Sequence, residues 1–226
     1  MEQVARPSSA FDLWKKSGAF GTLIPSLAEM DAIDLSTMDF LSQPSIAGRP
    51  QRRMMRMIAL FAAVPSAEVP GILKALRFSN LDAAWIGSIL SAWTSLKDEM
   101  RTEMLTPEGP SNGTIRKWAA VASRTRLASV LRLGHARWCA EHAAGMESPQ
   151  RRIVASVYRR AIRIAYNDPI EVGDLAVNGR DLEKLGLTGP LVGKTLRWLL
   201  DLVINDPVMN SREKLLAKAR ERHAGL

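Results

Sequence analysis

The chain has little of what covalent stapling, membrane insertion or metal binding needs. Its single cysteine among 226 residues, Cys139, excludes an internal disulfide and fits a reducing compartment. Residues 1–10 are polar and include Pro7, so they lack the apolar core of a signal peptide. No later run approaches the ~20 apolar residues of a membrane span, and the chain is read as cytoplasmic, with no membrane partner. Two Tyr, five Phe and few β-branched runs leave scant material for strands. The composition excludes a disulfide scaffold and a membrane-spanning protein.

Helix signals are abundant instead. Ser148-Pro149 reads as an N-cap ahead of a first-turn proline, Ser79 carries Asp82 three residues on, and Ser211 precedes Arg212-Glu213-Lys214. These cues predict an all-α, irregular array of about ten helices, near 9–20, 49–63, 67–77, 80–96, 114–126, 128–143, 149–166, 179–186, 190–204 and 211–222. The turn-forming run Thr106-Pro107-Glu108-Gly109-Pro110-Ser111-Asn112-Gly113 is the expected break, giving a body over 1–106 and a basic region over 114–226. Asn112-Gly113-Thr114 matches a glycosylation acceptor but is read only as loop.

Charge separates the two halves. Residues 1–113 hold 11 Lys and Arg against 12 Asp and Glu, net −1, and residues 114–226 hold 20 against 11, net +9. A basic region attached to a neutral scaffold suits a polyanion partner, although a solvated basic surface would have the same composition. On the helix near 149–166, Arg152, Arg159, Arg160 and Arg163 are expected on one side, opposite Ile153, Val157, Ala161 and Ile164. No acid lies between Glu147 and Asp168 to neutralise them. In 49–63, Arg49, Arg52, Arg53 and Arg56 form a second stripe opposite a core face of Met54, Met57, Ile58 and Phe61.

Catalytic and metal motifs are sparse. His135, Cys139 and His142 share a helix face at i, i+4 and i+7, but one helix rarely supplies three ligands to a tetrahedral zinc, and a buried apolar role for Cys139 is the expectation. Two-metal nucleotidyl transfer needs clustered carboxylates, commonly Asp-x-Asp after a Gly-Ser turn; Gly87-Ser88 is present, and no Asp-x-Asp follows it. Asp31 and Asp34, three apart in a helical segment, read as a solvated face.

The sharpest local pattern is a helix-to-helix corner. A short helix ends at Gly186, Gly189-Pro190 turns the chain, and the next helix carries Gly193 and Lys194 in its first turn, with Arg197 following. Glycines there admit a phosphate close to the backbone, while N–H groups and lysine supply positive charge. A P-loop is excluded, because the interval between Gly189 and Gly193 is one residue short and no strand precedes it.

At this corner a family becomes recognisable. Asp168-Pro169-Ile170, then Asp174-Leu175-Ala176-Val177-Asn178-Gly179-Arg180-Asp181-Leu182, then Leu185-Gly186-Leu187-x-Gly189-Pro190-x-Val192-Gly193-Lys194-x-Leu196, and finally Asn205-Asp206-Pro207-x-x-Asn210-Ser211-Arg212-Glu213 resemble the tail of bacterial CCA-adding tRNA nucleotidyltransferases and their poly(A) polymerase relatives. More loosely, Leu13-Trp14-x-x-Ser17-Gly18-Ala19 with Leu23-Ile24-Pro25 is similar to the end of that family's neck, and Leu76-Arg77-Phe78-Ser79-Asn80 to its body. The resemblance implies a body and tail that hold tRNA by its backbone, without the catalytic head. Magnesium and CTP or ATP would belong to that head, separately encoded where it exists, and this chain would carry no cofactor and no catalytic residue. The expected RNA contacts are Arg152, Arg159, Arg160, Arg163, Gly189, Gly193, Lys194 and Arg197. Two other readings stay open: a helix-hairpin-helix DNA-binding protein, since Leu185 to Leu196 also resembles that hairpin, and a small enzyme whose site follows no familiar motif.

Overall fold

The computed structural model describes residues 4–41 and 51–223. Within them the chain is all-α, with twelve α-helices, four short 3-10 turns and no strand among the described residues. The helices are α1 (Pro7–Lys16), α2 (Ala19–Leu23), α3 (Ala32–Thr37), α4 (Gln51–Phe61), α5 (Val69–Ala75), α6 (Asn80–Leu105), α7 (Asn112–Ala122), α8 (Leu127–Ala143), α9 (Arg151–Asn167), α10 (Gly179–Glu183), α11 (Pro190–Asn205) and α12 (Arg212–His223).

Local capping chemistry sets several of these boundaries. Ser79 Oγ accepts the Asp82 N–H at 3.1 Å and starts α6, and Ser111 Oγ does the same for Thr114 at 3.0 Å in α7. Helix α7 therefore begins at Asn112, and the Asn112-Gly113-Thr114 triplet is its first turn rather than loop. Ser148-Pro149 does not cap α9. That helix starts at Arg151, where the Gln150 carbonyl accepts from Ile153 and Val154 at 2.9 and 3.1 Å. Helix α3 falls in the helical segment expected around Asp31 and Asp34, outside the ten ranges given above; Asp31 caps it, accepting the Asp34 N–H at 2.6 Å. Helix α6 runs nine residues beyond its expected end at 96, because Leu96, Met100 and Met104 continue its buried stripe.

The chain forms two compact units that do not follow linear order. The first comprises Met1–Gly109 and Ala128–Ser156, the second Pro110–Leu127 and Val157–Leu226. One crossing falls inside the expected break at 106–113, and the chain crosses twice more, before Ala128 and after Ser156. The second unit holds 16 Lys and Arg against 9 Asp and Glu, a net of +7 out of the chain's +8.

In the first unit α4 is buried nearly all round, with Met55, Ile58 and Phe61 fully covered. This corrects the reading of its arginines as one outer stripe. Arg53 is exposed, but Arg56 is 0 % exposed and donates to the Val4 carbonyl at 2.8 Å. Arg49 and the side chain of Arg52 lie outside the described residues. Where α8 meets α6, Gly134 is needed for close approach: a Cβ there would sit 3.1 Å from the Trp93 ring.

The second unit is built on α11, which packs against α7, α10 and α12. Its core gathers Leu175, Val177, Leu182, Leu187, Leu199, Val203, Leu215 and Ala219. Polar side chains of the recognised tail pattern tie the connections to that core. Asn178 and Asp181 form a capping box on α10, and Asn210 accepts from the Ala176 N–H at 2.8 Å while donating to the Asp174 carbonyl at 2.9 Å.

Candidate nucleic-acid interface

Helix α9 is amphipathic because its apolar residues recur at helical spacing. Val157, Ala161, Ile164 and Ala165 are buried, while Arg152, Arg159 and Arg163 are exposed. Arg152 belongs to the first unit, where its Nε donates to Gln150 Oε1 at 2.8 Å. Arg159 and Arg163 belong to the second unit, and neither has a carboxylate partner among the described residues.

Arg160 stands apart from them. Its Nε and Nη2 donate to Asn112 Oδ1 at 3.0 and 2.7 Å, and Nη2 also donates to the Pro110 carbonyl at 2.8 Å. The half-buried guanidinium thus fastens α9 to the start of α7 instead of facing outward with its neighbours. One helical step of ~100° separates Arg160 from Arg159, enough to move it off the exposed stripe.

The corner between α10 and α11 differs from the expected anion cradle. Gly189 takes φ 56° and ψ −136°, a backbone that favours glycine, so the turn does need it. Pro190 has no N–H, however, and the next two amides, Leu191 and Val192, donate to Thr188 and Gly189 carbonyls at 3.3 and 3.2 Å. The first-turn amides are therefore already engaged, and a phosphate would have to displace long bonds to reach them. Helix α11 starts at Pro190, which places Gly193 and Lys194 at the end of the first turn and the beginning of the second. A Cβ on Gly193 would meet Arg197 Nη2 at 3.6 Å, ordinary contact, so no close approach demands glycine there. Lys194 and Arg197 are both exposed; Arg197 Nε donates back to the Gly193 carbonyl at 3.2 Å.

Five carboxylates among the described residues are engaged with arginines. In the second unit Asp168 meets Arg116 at 3.1 Å, Asp174 meets Arg124 at 2.7 Å, and Asp181 meets Arg212 at 2.6 Å. The Arg212 hydrogen bond, helped by the Asn178 N–H, holds the Asp181 carboxyl below its ordinary range. In the first unit Asp34 pairs with Arg137, and Glu141 pairs with both Arg137 and Arg101, so Asp34 is not part of the solvated face expected of it, whereas Asp31 is exposed and caps α3. Burial opposes the Arg137 charge, but Asp34 and Glu141 together outweigh it and raise its pKa above the ordinary value. These groups line a cavity of about 360 Å³ floored by Trp93 and Trp138. Its guanidiniums are neutralised from within, which disfavours it as an anion site. Gly87-Ser88 lies inside α6, where Ser88 Oγ donates to the Trp85 carbonyl at 2.8 Å, so this pair forms no turn.

His135 Nε2 lies 3.4 Å from Cys139 Sγ, while His142 is exposed one turn further on. Cys139 is half-buried rather than fully so. Burial raises its thiol pKa despite the nearby Arg151, and burial and Arg151 both lower that of His135. Alkylation of Cys139 is accordingly expected to be slow at neutral pH and to accelerate as pH rises past the ordinary thiol range. A pH profile of iodoacetamide labelling checks this; rapid labelling at pH 7 would show a stabilised thiolate instead.

Periodicity alone did not single out Tyr166. It is 58 % exposed at the end of α9, beyond Arg163. The available signal was its spacing, i+7 from Arg159 and i+3 from Arg163. No protein-family model, curated protein or solved structure matches this chain.

Proposed function

We propose that the chain is an RNA-binding module that holds tRNA through its phosphates, corresponding to the body and tail of a CCA-adding tRNA nucleotidyltransferase whose chemistry resides in a separate head. The observation that carries this reading is the pair Arg159 and Arg163: two exposed guanidiniums on one helix face, without carboxylate partners among the described residues, in a unit of net charge +7. Like charges this close repel each other unless an anion lies between them, and a phosphodiester backbone supplies one at each step. Exposed Lys194 and Arg197 add charge in the same unit. Double-stranded RNA is held mainly by shape and backbone contacts, so a basic helical surface without base-reading elements suits folded tRNA. The tail-like sequence pattern supports the same partner.

The acidic side chains that meet arginines are poorly placed to hold the paired metal ions of nucleotidyl transfer. Incubated with tRNA lacking its CCA end, labelled CTP and ATP, and magnesium, the chain alone is expected to leave the tRNA unextended. Incorporation by homogeneous protein would overturn the catalytic half of this reading. Binding is tested by competition: labelled tRNA should be displaced by unlabelled tRNA far more readily than by duplex DNA of equal length. Preference for the DNA would transfer the reading to a helix-hairpin-helix protein.

A further inference from the structure

Tyr166 is the most exposed aromatic side chain among the described residues, at 58 % against 49 % for Trp14 and 40 % for Phe40. Its hydroxyl has no hydrogen-bond partner among them. At ~100° per residue, Arg159, Arg163 and Tyr166 fall within about 60° of one another around α9, and the rise of ~1.5 Å per residue spreads them over roughly 10 Å along it. All three belong to the second unit. A stripe of two cations followed by an aromatic face combines the two elements that track single-stranded nucleic acid: charge for successive phosphates and a platform for a base. A paired base inside a duplex offers no face to such a platform, whereas a base splayed from a loop or bulge does.

We infer that the exposed face of α9 binds RNA where a duplex ends in unpaired nucleotides, with Arg159 and Arg163 on consecutive phosphates and Tyr166 stacked on an unpaired base. This rests on the RNA-binding reading above and goes beyond it by assigning a base-contacting residue and the RNA element it takes. The stacking tolerates any base, because each presents a π-face.

The test compares a hairpin RNA with a blunt duplex of the same stem, using the full chain and its Tyr166→Ala and Tyr166→Phe variants. An exposed position makes both variants expected to fold, which circular dichroism checks. The parent should prefer the hairpin by about tenfold, within the range of one stacked base. Tyr166→Ala should lose that preference while keeping the parent's duplex affinity and salt dependence; Tyr166→Phe should retain it. Equal affinity of the parent for both RNAs overturns the inference, as does a Tyr166→Ala variant that still prefers the hairpin or loses both RNAs alike. A parent that binds neither RNA overturns the RNA-binding reading itself, an outcome visible before any variant is made.

Discussion

Replacing Arg159 and Arg163 together with alanine is expected to weaken tRNA binding by roughly tenfold or more at moderate salt, and to flatten its salt dependence by about one to two units of log–log slope. Each phosphate contact releases a condensed counterion, so the slope counts contacts at about 0.7 to 0.9 apiece. The two guanidiniums lie one turn apart, about 6 Å along α9, and bring no carboxylate partner that must first be displaced. The loss should be similar for every tRNA species, because phosphates carry no sequence. Arg160 serves as the internal control. Its bonds to Asn112 and Pro110 make Arg160→Ala a stability change, expected to lower the unfolding midpoint while leaving the salt slope near the parent value. A salt titration of affinity for the three proteins decides the matter. Unchanged slope and affinity in the double variant would reduce the arginines to a solvated face.

The largest stability effect is expected at Trp118. This α7 side chain is 0 % exposed, and its indole Nε1 has no hydrogen-bond partner among the described residues. Truncation to alanine removes most of a large buried volume and should cost about 3–5 kcal/mol, a sizeable part of the stability of a small domain. Trp118→Phe should cost less, because a phenyl ring keeps part of the buried apolar contact while the unsatisfied donor disappears. Denaturant unfolding of both variants measures the difference. Equal losses would mean that the indole nitrogen has a partner and contributes as much as the ring.

What could be read from sequence divides along physical lines. Ser79 and Ser211 were legible as helix starts because capping acts over three residues, and Gly189 was legible as a turn because a positive φ restricts residue choice. The buried face of α9 was legible from the spacing of Val157, Ala161 and Ile164. Arg56 and Arg160 were misread for one shared reason: their acceptors, the Val4 and Pro110 carbonyls, lie about fifty residues away, and helical periodicity is blind to them. The helical segment around Asp31 and Asp34 was legible but its bounds were not, because α3 is only six residues long, and the pairing of Asp34 with distant Arg137 leaves no local signal. The end of α6 was placed too early because the charged run Lys97-Asp98-Glu99 hides the stripe that Met100 and Met104 continue. At the Gly189-Pro190 corner the residue types were legible, but the engagement of the Leu191 and Val192 amides depends on the backbone angles of the turn, which residue types do not specify.

The interleaving of the two units has a consequence for synthesis. Residues 1–109 leave the ribosome without the segment Ala128–Ser156 that completes the first unit, and Pro110–Leu127, which belongs to the second, emerges in between. At roughly 5–20 residues per second, translation of residues 110–156 takes about 2 to 10 s. For that interval the nascent first unit lacks α8 and the start of α9, leaving apolar surface such as the Trp93 face that Gly134 later meets without its native cover. The units therefore mature in overlapping order, and early termination anywhere before Ser156 leaves both of them unfinished.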